Sequence, residues 1–142
     1  MKLPSLPVLL LFLLVGCSRY PDTVPVSGKI LYNGEPLKFG SVMFQPRQGQ
    51  PARAQIQPDG TFALGTYKKE DGAVLGEHRV RVMCYTSQNP NAPTAGTVGE
   101  QSLGTPLIPL KYSRLGTSGL TAEVTTELEE PLVFELVGPR RK

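Results

Sequence analysis

The chain carries one histidine, His78, and two cysteines, Cys17 and Cys84, and these three side chains bound the chemistry it could do. A serine hydrolase would have to build its acid–base step on His78 with a nearby carboxylate. His78 opens an alternating segment just after Gly76-Glu77, a position that reads as a partly exposed strand residue rather than a catalytic base. Zinc sites need three or four Cys and His ligands at short spacing, which this sequence does not offer. Calcium needs a cluster of oxygen ligands; Asp59 and the pair Glu70-Asp71 read as solvated turn carboxylates. No glycine run matches a phosphate-binding loop. With Trp absent and few aromatics, a sugar-stacking platform is not expected, and Tyr67, Tyr85 and Tyr112 fit packing at a core edge. The expectation is a protein that is not an enzyme and uses no metal or cofactor.

The N-terminal segment sets the compartment. Lys2 gives a small positive region, and Leu6 to Val15 is an apolar run of about ten residues, the length of a signal-peptide core and too short to span a bilayer. It ends in Leu14-Val15-Gly16-Cys17, where small residues favour cleavage before the cysteine. This Leu-Val-Gly-Cys resembles a lipobox, the motif of bacterial lipoproteins. The resemblance implies that Cys17 is acylated on its thiol, freed of residues 1–16 and left as the mature N-terminus. Two or three acyl chains at one residue anchor stably where one does not. The alternative is an ordinary secretory signal with a chance cysteine. Ser18, in place of the Asp that favours inner-membrane retention, points to the outer membrane. If Cys17 carries lipid, Cys84 has no disulfide partner, and its alternating apolar strand makes it a small buried hydrophobe.

Residues 17–142 are one domain in size. Without Lys2, 14 basic side chains face 12 acidic ones, a near-neutral, scattered balance that excludes nucleic acid as a partner. Gly-Pro-Arg-Arg-Lys, residues 138–142, is a short basic tail. The 15 glycines and 14 prolines are dispersed between short apolar runs, the texture of many strands joined by turns.

Strand signals run through Val24–Tyr32, Ser41–Gln45, a weak edge segment Ala52–Gln57, Thr61–Thr66, His78–Tyr85, Gly119–Thr125 and Leu132–Val137. Their alternation puts Val24, Val26, Gly28 and Ile30 on one face, places Val42, Phe44, Phe62, Leu64, Val80, Val82, Cys84, Leu120, Ala122, Val124, Leu132, Phe134 and Leu136 inside, and turns Arg79, Arg81 and Met83 outward. Asn33-Gly34 and Asp59-Gly60 are turn signals, and residues 67–77 read as a solvated connection. The count predicts an all-β, seven- to eight-stranded antiparallel β-sandwich of the transthyretin or immunoglobulin type, with a small closed barrel as the alternative. Within it, residues 86–105 form a long loop without periodicity, and such loops are commonly functional; Asn89, Asn91, Thr94, Thr97 and Glu100 are its candidate binding residues. The organisation expected is a signal peptide at 1–16, the lipidated Cys17 and a tether to 23, the sandwich at 24–137 and the tail at 138–142.

Val26-Ser-Gly-Lys-Ile-Leu-Tyr-Asn-Gly-Glu-Pro-Leu37 followed by Gly40-Ser-Val-Met-Phe-Gln-Pro46 resembles the opening of carboxypeptidase regulatory-like, or transthyretin-like, domains. Asp59-Gly60-Thr61-Phe62 and Gly76-Glu77-His78-Arg79-Val80-Arg81-Val82 resemble that family's later turn and strand. Ile108-Pro-Leu-Lys-Tyr-Ser113 and Thr117-Ser-Gly-Leu-Thr-Ala-Glu-Val124 are similar to small planctomycete-type lipoproteins carrying the domain. These motifs are turn and strand chemistry, so they imply a fold more than an activity. Transthyretin-like hydrolases that open hydroxyisourate rings use more than one histidine and end in Tyr-Arg-Gly-Ser, a pattern absent here. The function expected is a non-catalytic, lipid-anchored envelope protein, exported to the periplasmic or outer-membrane face. It would serve as a structural or binding module for a protein or polysaccharide partner. The alternatives are a carrier of a small apolar ligand and a hydrolase using His78.

Overall fold

Short segments of alternating burial, cut by glycine and proline, build the fold. The computed structural model describes residues 20–92, 103–128 and 131–140. The strands are β1 (Thr23–Val24), β2 (Ser27–Tyr32), β3 (Glu35–Pro36), β4 (Ser41–Pro46), β5 (Ala52–Gln55), β6 (Thr61–Ala63), β7 (Ala73–Val74), β8 (Gly76–Met83), β9 (Leu120–Val124) and β10 (Leu132–Leu136). Three of them, β1, β3 and β7, are two residues long, which leaves the seven longer strands that the alternation predicts. No α-helix forms among the described residues.

Two sheets make a sandwich. In one, β2 is central: β10 lies on one flank, and β3 and β6 pair with its two halves on the other. The other sheet runs β5-β4-β8-β9, antiparallel throughout. The β2–β3 hairpin turns on Asn33 and Gly34, with φ of 50° and 84°. Both angles lie in the left-handed region that this two-residue turn requires. Side chains from both sheets meet in one core, with Ile30, Phe62, Phe134 and Leu136 from the first and Val42, Phe44, Val80, Val82 and Val124 from the second. The Phe44 ring lies at the centre. Its centroid is 6.0 Å from that of Phe62 and 5.8 Å from that of Phe134, the latter edge to face. Such pairs add to the area they bury.

Three features depart from the expectation. β10 runs parallel to β2, with Phe134 opposite Ile30, so the sheet is mixed; strand periodicity carries no information about direction. The 67–77 connection is solvated only in part. Ala73 and Val74 are buried and pair with Val24 and Thr23, because two-residue strands are too short to show a period. That pairing takes the end of the expected tether into the fold.

Gly72 makes the β1–β7 pairing possible. Its φ is +93°, and a Cβ there would overlap the Val24 carbonyl and the Val24–Pro25 peptide. Gly49 has a similar φ of +103° with open space around it. Replacing Gly49 by Ala should therefore cost only the left-handed strain, about 1 kcal/mol. Gly72→Ala adds a backbone clash and should cost at least about 3 kcal/mol. Urea unfolding of the two variants checks the difference.

Candidate functional site

His78 follows the period of its strand. In β8, His78, Val80 and Val82 share one parity and all are fully buried, so the partly exposed position expected from the sequence is corrected here. The same alternation that placed Val80 and Val82 inside also contained His78. The ring centroid lies 5.9 Å from that of Phe44. Nε2 lies 2.8 Å from the Val74 carbonyl oxygen. A carbonyl only accepts, so Nε2 donates and Nδ1 is left as a buried acceptor with no donor among the described residues. Among the described residues no carboxylate is a hydrogen-bond or ion-pair partner of the ring.

The carboxylates serve the backbone. Asp59 Oδ1 accepts from the Thr61 hydroxyl at 2.6 Å and the Thr61 N–H at 3.0 Å. These bonds, the hydroxyl's foremost, hold its carboxyl below the ordinary value. Asp71 ties down the next turn by accepting from the N–H groups of Thr66 at 2.6 Å, Lys68 at 2.9 Å and Tyr67 at 3.1 Å. Burial pushes its carboxyl up, but the three N–H donors outweigh this and leave it below the ordinary value. Among the described residues no three His, Cys, Asp or Glu side chains cluster to hold a metal. Cys84 is buried, as expected.

The 86–105 loop is fastened at its neck. Thr86 N–H donates to the Thr105 carbonyl at 3.0 Å, Thr105 N–H to the Thr86 hydroxyl at 3.0 Å, and the Ser87 hydroxyl to the Leu103 carbonyl at 2.7 Å. Thr86–Gln88 is a single 3-10 turn. Gln88 closes it by accepting from Tyr85 N–H and donating to the Ser41 hydroxyl. The Asn89 side chain accepts from Asn91 N–H at 2.9 Å, a local turn bond. Thr94, Thr97 and Glu100 lie outside the described residues.

At the opposite end of β8, the N-terminus of the fold is held by the Asp71 turn. The Tyr20 ring lies on Tyr67 with centroids 4.5 Å apart, and β1 pairs with β7 just beyond. Cys17 precedes Tyr20 by three residues, a reach of about 10 Å.

The outer face of β5-β4-β8 is rich in arginine. Met43 stands opposite Arg53 on one side and Arg81 on the other, and Gln45 stands opposite Arg79. A shallow groove of 170 Å³ lies between Arg53 and Arg81, over Met43 and Met83. A separate, larger one of 660 Å³ is lined by Gln45, Pro46, Arg47, Glu77, Arg79 and Leu115. Sequence alternation turned Arg79 and Arg81 outward; their meeting with Arg53 depends on strand register.

Two measurements follow from this geometry. His78→Ala removes a buried ring and the donor to Val74, and should cost about 3 kcal/mol. His78→Gln, whose amide still donates, should recover about half of that in urea unfolding. Asp71, depressed when folded, contributes stability that is complete above its unfolded value and is lost as pH falls through the folded one. The unfolding temperature should drop on acidification below about pH 4. Asp71→Asn should lower it at pH 7 and flatten the acid limb.

Comparison with known proteins finds no family model, no curated protein and no solved structure that matches the chain.

Proposed function

We propose that the chain is a non-catalytic, lipid-anchored envelope protein: a carboxypeptidase regulatory-like β-sandwich held against a bilayer through Cys17, on the periplasmic or outer-membrane side, and acting as a binding module. The observation that carries this reading is how soon the fold begins after the lipobox-like motif. Tyr20 already packs on Tyr67, and Thr23–Val24 already pairs with Ala73–Val74. An acyl group on Cys17 would seat the Tyr20–Tyr67 end of the sandwich against headgroups, with no long spacer between.

Further support comes from the turns. Asn33-Gly34 and Asp59-Gly60, which carry the family resemblance, occupy left-handed turn positions at Asn33, Gly34 and Gly60. Chemistry-bearing side chains are committed elsewhere: His78 to the core, and Asp59 and Asp71 to backbone donors. We prefer this reading to a ligand carrier because the space between the sheets is filled around Phe44 by Phe62, Phe134 and His78.

Expression of the full chain in a Gram-negative host tests the anchor. Intact-mass spectrometry should find a protein without residues 1–16 carrying acyl mass, and it should partition into a detergent phase. Cys17→Ser should lose both the acyl mass and the partitioning. A wild-type protein that keeps residues 1–16 and carries no acyl group would end this proposal.

A further inference from the structure

Arg47, Arg53, Arg79 and Arg81 all lie on or beside the outer face of β5-β4-β8, while Arg114 and Arg140 are the other arginines of the described residues. Strand spacing puts Arg53 and Arg81 about 10 Å apart across Met43, and Arg79 about 7 Å from Arg81 along β8. Arg47 is engaged, 2.8 Å from Glu77. Arg53, Arg79 and Arg81 make no ion pair among the described residues. The Arg81 Nε is shielded from water and finds no acceptor among the described residues. A buried donor in that state is an exception among native polar groups, and the Arg81 side chain that carries it lines the groove with Arg53. Glu77 and Glu123, opposite each other, sit at one end of the face. Beyond Arg53 at its other border, a groove of 690 Å³ leads past Lys68.

Guanidinium groups match the oxygen pairs of carboxylate and sulfate with paired donors, which lysine cannot do. The middle of a sheet has its ladder filled, so it offers an incoming peptide no backbone partners; peptides add at edges or fill grooves. No aromatic side chain points outward from β4, β5, β8 or β9, so neutral sugars and bases have nothing to stack on. Ser41, Gln45, Gln55 and Thr121 supply hydroxyl and amide groups on the same side, suited to sugar hydroxyls. β1 pairs with β7, which leads into the Gly76 end of β8, so an anchor just before β1 would sit at one end of the strands and leave their outer face running away from it. We propose that the outer face of β5-β4-β8 binds an acidic polysaccharide, with Arg53, Arg79 and Arg81 on its carboxylate or sulfate groups. This assignment rests on reading the chain as an anchored binding module and names what it binds.

The test uses the full acylated protein in liposomes of neutral phosphatidylcholine, with polygalacturonate, dextran sulfate, uncharged dextran and polyglutamate as probes. Polygalacturonate or dextran sulfate should bind, weaken as salt is raised, and outcompete polyglutamate; dextran should not bind. Arg53→Gln with Arg81→Gln should lose about 100-fold in affinity, about 10-fold for each charge-assisted contact. Arg53→Lys with Arg81→Lys, which keeps charge but not the paired donors, should fall between. Arg140→Gln should stay within about twofold, as expected for a residue that lies with Tyr32 and Pro36 of the other sheet. Thermal unfolding confirms that each variant is folded. The proposal is overturned if neither acidic polymer binds, if the Gln pair binds like the wild type, or if polyglutamate binds as tightly, which would make the ligand an acidic peptide. Acyl mass measured on the same preparation separates the two readings. Acylated protein that does not bind ends the face and spares the anchor; unacylated protein that binds ends the anchor and spares the face.

Discussion

One aromatic side chain joins the two halves of this protein. Phe44 belongs to the β5-β4-β8-β9 sheet, and its ring meets Phe62 from β6 and Phe134 from β10, both in the opposing sheet. Backbone bonds between the sheets are confined to one border, where Arg53 and Gly65 exchange N–H···O bonds and Gln57 N–H donates to the Thr61 carbonyl, so elsewhere their relative position depends on side chains. A ring at the centre of that contact fixes both spacing and angle, because interiors are packed too densely to slide. His78 fills the remaining side of the same cluster. The outer arginines inherit their geometry from this arrangement, since β4 carries Phe44 on its inner face and Met43 between Arg53 and Arg81 on its outer one.

Much of the sandwich was legible in the sequence because two local rules are strong. Alternation assigned Val42, Phe44, Val80, Val82, Phe134 and Leu136 to the interior, and all are buried. Asn33-Gly34 marked its hairpin because few residue pairs accept two left-handed conformations. What stayed hidden was set by distant contacts. Nothing local in Ala73-Val74 announces a strand, since its partner is Thr23-Val24. The direction of β10 depends on how its connection crosses the sandwich. His78 is the instructive miss: its parity was readable, but its polarity suggested an exposed position, and burial prevailed because the Val74 carbonyl satisfies one nitrogen. The arginine face was half legible. Arg79 and Arg81 could be turned outward from one strand's pattern, whereas Arg53 reaches them only through the β4 register.

Residue types that suggest chemistry are used here largely for architecture. Asp71 gathers three backbone donors and keeps Tyr67 under Tyr20. Thr86 and Thr105 bind each other's backbone and side chain and close the neck of the long loop. Each such use lowers the energy of an irregular segment that has no ladder of its own, because buried or half-buried peptide groups need partners. Against that pattern, three guanidiniums on one face, without ion-pair partners among the described residues, stand out.

The parallel seating of β10 on β2 governs when the molecule can finish assembling. Residues near position 132 must find residues near position 28, so this sheet cannot be completed until almost the whole chain is present. Until then β2 has a bare flank, a template for the strands of other chains, and such long-range closure is slow. A protein of this topology gains from being kept extended until its last strand arrives. Loss of β10 would convert a sandwich with both flanks of β2 covered into one with an adhesive margin.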